Sequence, residues 1–122
     1  MGTFTVQVTF EGPQGQLNVD ALVDTGTAYA SVPANTLRSI GVMPQERQRG
    51  FRTPAGDVTY RDIGQVHVRC EERTAPAVVV FDDAGTAPVL GHTTLACLGL
   101  EPDADNERLV PAVLLMPSIW QV

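Results

Sequence analysis

The chain has 122 residues, enough for one hydrophobic core but not for two lobes. Its formal net charge is -6 at pH 7 with a sequence pI of about 4.6, and its eight basic residues are all arginines, dispersed along the sequence. That balance argues against nucleic acid or an anionic membrane as partner, since both need clustered cations, and no apolar run of about 18 residues predicts a membrane-spanning helix.

Phe4, Val6, Val8 and Phe10 alternate with Thr3, Thr5, Gln7 and Thr9, the period-two pattern of a half-buried strand. Glu11-Gly12-Pro13-Gln14-Gly15 makes a turn, and Leu17 to Val23 returns as the second strand of a hairpin that delivers Asp24 at its exit. Pro33 to Ile40, with Leu37 and Ile40 on one face and Gly41 just beyond, reads as a short helix. Gln45 to Gly50 is polar and reads as a loop. Phe51-Arg52-Thr53 and Val58-Thr59-Tyr60 flank Pro54-Ala55-Gly56-Asp57, where proline sets a turn and Gly56 takes a positive φ, so a hairpin with a flexible tip is predicted.

Ile63, Val66, Val68 and Cys70 mark a further strand, interrupted by a bend around Gly64, and Ala75 to Phe81 reads as a strand buried on both faces. Asp82 to Thr86 is a turn-rich break. Pro88-Val89-Leu90-Gly91 then supplies an apolar pair and a glycine, followed by a short helix over Thr93 to Leu98 that stops at Gly99. Leu109 to Leu115 and Ile119 to Val122 are apolar. With no repeat and no linker, the sequence predicts one domain over 1–122, with a core over about 4–109 and an apolar tail over 110–122. Many short strands and few helical residues predict an all-β fold: a small closed or partly closed antiparallel barrel with one or two short helices.

Ala21-Leu22-Val23-Asp24-Thr25-Gly26-Thr27 carries the chemistry, because an apolar strand places one carboxylate at the rim of a core, where desolvation and a second acid can move its pKa. Asp-Thr-Gly by itself is equally the composition of an Asx-type turn closing a strand. Taken with the Phe51 to Tyr60 hairpin and Val89-Leu90-Gly91, in that order and spacing, the chain from Phe4 to about Leu109 resembles the retropepsin-like aspartic proteases, and looks most like their bacterial single-domain members.

The resemblance implies an acid-protease barrel and an aspartic endopeptidase acting on extended peptide segments. Asp24 would be the catalytic acid, Thr25 would reach across a dimer axis, and Gly26 would offer its carbonyl to the substrate. Thr27 would either donate its hydroxyl to the carboxylate or cap the backbone. Pro54, Ala55 and Gly56 would form a flap closing over a peptide or protein substrate, or else an ordinary exposed hairpin. Val32, Val89, Leu90 and Gly91 would line apolar pockets, with the core as the other reading for Val89 and Leu90, and Gly91 would cross beneath the catalytic loop. Asp103 and Asp105 lie in a polar stretch with no apolar strand leading into them, so a second aspartate must come from another copy of the chain, and a homodimer is expected. Ala28 and His92 stand where retroviral members carry an acid and an arginine that brace the dimer, so that ion pair is absent.

His67 falls on the polar face of its strand and no Cys, His or Asp cluster has ligand spacing, so neither a metal nor a cofactor is expected. Cys70 and Cys97 read as buried free thiols, and the absence of a secretory pattern gives a cytoplasmic expectation. A second reading stays open: a dimerisation or peptide-binding module that keeps the barrel and the loop without turnover.

Overall fold

A computed structural model describes residues 3–117 of the chain. The tail residues Ile119 and Trp120 lie outside the described residues.

Alternation in the first hairpin becomes a buried face. Strand β1 (Phe4–Gly12) buries Phe4, Val8 and Phe10, and β2 (Gly15–Val23) buries Ala21 and Val23. The two pair antiparallel from Phe4↔Val23 to Gly12↔Gly15, leaving Pro13-Gln14 as the turn. After β3 (Ala30–Pro33) and helix α1 (Ala34–Ser39), strands β4 (Glu46–Arg52) and β5 (Val58–Cys70) form the second hairpin. β6 (Arg73–Asp82), β7 (Val89–Leu90), helix α2 (His92–Leu98) and a last hairpin of β8 (Leu100–Asp103) and β9 (Arg108–Pro111) complete the order.

Six strands close a ring in the order β1-β2-β7-β3-β6-β5, sealed by β5 pairing back to β1 through Thr9↔Arg69, Phe10↔Val68 and Glu11↔His67. The expected closed barrel with two short helices is the observed one. Within it, four pairings are antiparallel and two, β2 with β7 and β3 with β6, are parallel. β7, only two residues long, slots between β2 and β3, parallel to the first and antiparallel to the second, and the other parallel pair joins β3 to β6. Full closure leaves the ring itself without an edge. Inside it Phe10, Val32, Val68, Val79 and Leu90 are fully buried.

Three expectations change. Residues 46–50, expected as a loop, join Phe51 and Arg52 in strand β4: none of 46–52 is buried, and β4 is held by its ladder to β5, with a register shift between Glu46 and Arg49 where Gln48 takes φ 58°. β5 runs unbroken for 13 residues through Gly64; the alternation slips one step there, both Ile63 and Gly64 being buried, and a Cβ at Gly64 would lie 2.8 Å from the Met43 carbonyl oxygen. β6 is buried on one face only, with Val78 and Val80 half-exposed on the other. Its outer face matters for the site.

Candidate active site

Asp24 leaves the end of β2 with its backbone already committed to the ring. Its N–H donates to the Leu90 carbonyl at 3.0 Å, continuing the parallel ladder of β2 with β7. The carboxylate Oδ1 accepts the Gly26 N–H at 2.9 Å, and the Asp24 carbonyl accepts both the Thr27 N–H at 3.3 Å and the Thr27 hydroxyl at 3.1 Å. Thr27 therefore caps the turn backbone rather than donating to the carboxylate. Thr25, Gly26, Thr27 and Ala28 are all exposed, whereas Asp24 is half-buried.

The loop is fastened from below by the segment after β7. The His92 N–H donates to the Thr27 carbonyl at 2.8 Å and the Thr93 N–H to the Ala28 carbonyl at 2.9 Å. Gly91 makes that approach possible: a Cβ there would stand 2.6 Å from the Ala28 carbonyl carbon and from the Tyr29 oxygen. Gly91 is thus a backbone support of the loop that presents Asp24, and it does not line the cavity beside it.

A cavity of about 390 Å³ opens beside Asp24. It is lined by the loop residues Asp24, Gly26, Thr27 and Ala28, by Tyr29, Ser31, Val80 and Val89, and by Phe51, Arg52 and Asp82. Of the apolar residues expected to line it, Val89 does. Val32 and Leu90 do not: both are 0 % exposed and point into the barrel core. Pro54, Ala55 and Gly56 form the exposed tip of the β4–β5 hairpin, with the Thr53 N–H donating to the Asp57 carbonyl and the Gly56 N–H to the Thr53 carbonyl. The hairpin residues that reach the cavity are Phe51 and Arg52, on β4 just before the tip.

Two groups of wall residues escape the sequence reading. Tyr29 packs edge-on against Phe51, ring centroids 6.1 Å apart, and its hydroxyl accepts a 2.8 Å hydrogen bond from Arg49. Glu46 grips the other side of the Arg49 guanidinium, through Nε at 2.9 Å and a second bond from Nη2, and this hydrogen-bonded carboxylate raises the arginine's already high pKa. Asp82, the other carboxylate of the cavity, accepts the Asp83 N–H at 2.8 Å and faces Arg61 Nε at 3.8 Å. Period two would have found part of this wall. With Ala30 and Val32 facing inward, Tyr29 and Ser31 must face outward, as must Val80 between Val79 and Phe81.

Among the described residues no cluster of three or more His, Cys, Asp or Glu side chains is placed to hold a metal ion. His67 is exposed. Both cysteines are free thiols, Cys70 buried as expected but Cys97 exposed on α2. No helix among the described residues is long and apolar enough to cross a membrane.

The fold has counterparts among solved structures. An inhibitor-bound EIAV protease is similar over 94% of this chain and 94% of its own, with a TM-score of 0.65 at 16% identity. The simian foamy virus protease solved in solution is similar over 75% of this chain and 91% of its own, with a TM-score of 0.54 at 17% identity. The fold is that of the retropepsins. No protein-family profile and no curated protein sequence matches the chain. At these identities the likeness speaks for the retropepsin-type barrel and leaves activity to the site itself.

Proposed function

We propose that the protein is a homodimeric aspartic endopeptidase, a single-domain enzyme of the bacterial retropepsin-like kind, acting in the cytoplasm on extended segments of peptide or protein substrates. The observation that carries this reading is the state of the two carboxylates in the cavity. Asp82 is occupied by Arg61 and by its own turn, whereas Asp24 sits on an exposed loop with no cation within 4.0 Å among the described residues. The chain thus supplies one working acid, and a two-fold axis through the exposed loop would set it against its counterpart in a second copy.

The chemistry follows from that pairing. Two carboxylates at close range cannot both ionise cheaply, so the pair holds one shared proton. The ionised Asp24 takes a proton from water as the water attacks the scissile carbonyl; the protonated Asp24 donates to the carbonyl oxygen, and the tetrahedral intermediate collapses as the amine leaves with a proton. No metal, cofactor or covalent intermediate takes part. Thr25 reaches across the axis, the Gly26 carbonyl meets the substrate backbone, and the hairpin tip at Pro54, Ala55 and Gly56 closes over the substrate as an added strand.

Asp24→Asn is expected to abolish cleavage of a fluorogenic peptide library while leaving the circular dichroism spectrum unchanged. Asp82→Asn is expected to retain cleavage within about an order of magnitude, as for loss of a partly exposed ion pair at a site's edge. Wild-type rates in the Asp24→Asn protein would refute the enzyme. Loss of activity in the Asp82→Asn protein as well as in the Asp24→Asn protein would move the second acid into the same chain.

A further inference from the structure

Strand β4 has one neighbour in the sheet, β5, and its own hairpin carries it away from the ring. Its side chains mostly bond within that hairpin: Gln48 Nε2 to Asp62 at 3.4 Å, Arg49 to Glu46, and Arg52 to the Gly56 carbonyl at 2.7 Å. Among the described residues, the side-chain hydrogen bond that leaves the hairpin from β4 is the one from Arg49 Nη1 to the Tyr29 hydroxyl, 2.8 Å. Tyr29 stands five residues beyond Asp24 at the end of the same loop. This contact is therefore a direct tie between the moving part of the proposed enzyme and the loop that holds its acid.

The tie is built with care on the β4 side. The register shift between Glu46 and Arg49, with Gln48 at φ 58°, brings Glu46 and Arg49 onto one side, three residues apart. Glu46 then uses two guanidinium nitrogens and leaves Nη1 aimed at Tyr29. The guanidinium also lies 5.9 Å from the Tyr29 ring centre, and the ring meets Phe51 edge-on. Tyr29 and Phe51 both line the Asp24 cavity, so any swing of β4 changes that cavity's width.

We propose that Tyr29 is a positioning residue, whose hydroxyl anchors Arg49 and so fixes the resting pose of the β4–β5 hairpin over the Asp24 cavity. The kinetic half of this inference rests on the proteolytic reading; the structural half does not. Hydrogen exchange of the wild-type protein, Tyr29→Phe, Arg49→Lys and the double variant tests it directly. Tyr29→Phe keeps the ring and its packing and removes only the acceptor. Loss of a hydrogen bond to a charged donor should speed exchange of the β4 amides from Gly50 to Arg52 by about 10-fold or more, with ring strands such as β1 unchanged. The double variant should exchange no faster than the more affected single one, because both substitutions remove the same contact.

For cleavage, KM should rise about fivefold in Tyr29→Phe with kcat within about twofold, since an unanchored hairpin weakens substrate capture without touching the acid pair. Wild-type exchange rates for β4 in Tyr29→Phe, additive effects in the double variant, or a fall in kcat at constant KM would each overturn the positioning role. Should the wild-type protein cleave no peptide, the enzyme reading fails while the exchange result still decides the anchor.

Discussion

At Gly91 the backbone leaves no room for a side chain, and the atoms in the way are main-chain atoms of the very loop that presents Asp24. Gly91→Ala therefore has to push that loop outward or break the bonds from His92 and Thr93. The expected cost is about 3 kcal/mol, the upper part of the range for overpacking, read as a lowered midpoint in urea denaturation. At Gly56, by contrast, a Cβ meets nothing within 4 Å, so the difficulty there is only the positive φ of 97°. The cysteines divide just as sharply. Burial pushes the Cys70 thiol up to about 11, from an ordinary value of 9.0, with the nearby Glu71 carboxylate adding to the effect. A disulfide reagent at pH 8 should titrate Cys97 at once and Cys70 only after denaturant is added. The sign of the linkage follows. The stability conferred by a neutral, buried Cys70 is complete below about pH 9 and is lost as the pH rises through about 11.

Among the elements, legibility in the sequence tracked burial. β1 and the end of β2 could be read because Phe4, Val8, Phe10, Ala21 and Val23 turn one face inward, and both helices because Gly41 and Gly99 follow them. β4 was legible only at Phe51 and Arg52, beside the turn; its start could not be read, because no residue from Glu46 to Arg52 is buried and the strand exists only through its ladder to β5. β8 and β9 hid in a Pro/Asp/Asn stretch whose order is local: Asn106 donates to Asp103 at 2.8 Å, which with Arg108 holds that carboxyl below its usual pKa. At the site, Asp24 and Val89 were legible as cavity residues from motif and spacing. Val32 and Leu90 were assigned to it although the alternation of β3 points Val32 inward and Ser31 outward. The Tyr29–Arg49 contact spans 20 residues and depends on a bulge, and neither propensity nor periodicity reports a bulge.

For the whole molecule, the reading makes activity a property of two copies, so specific activity should rise with protein concentration as mass action fills the dimer. Leu114, Leu115 and Met116, all exposed in the single chain, are apolar surface available to such an interface. A shared proton makes the pH profile bell-shaped with an optimum at about pH 4 to 6. The sequence pI of about 4.6 lies inside that window, so light scattering must accompany the assay to separate active-site protonation from aggregation. An active monomer in sedimentation, or an optimum above neutrality in clear solution, would sink the dyad. The way the ring closes also governs how the chain must be made. The hairpins β1–β2 and β5–β6 can each zip as soon as they are synthesised, but β1 must wait for Arg69 to close on Thr9, and β2 and β3 must wait for Val89 and Leu90 to fill the gap between them. Until then a nascent chain on the ribosome carries two open strand edges flanking its Asp-Thr-Gly turn, and loop closure over so many residues is slow. The last strand to enter the barrel, two residues long, is what ends that exposure to pairing with neighbouring chains.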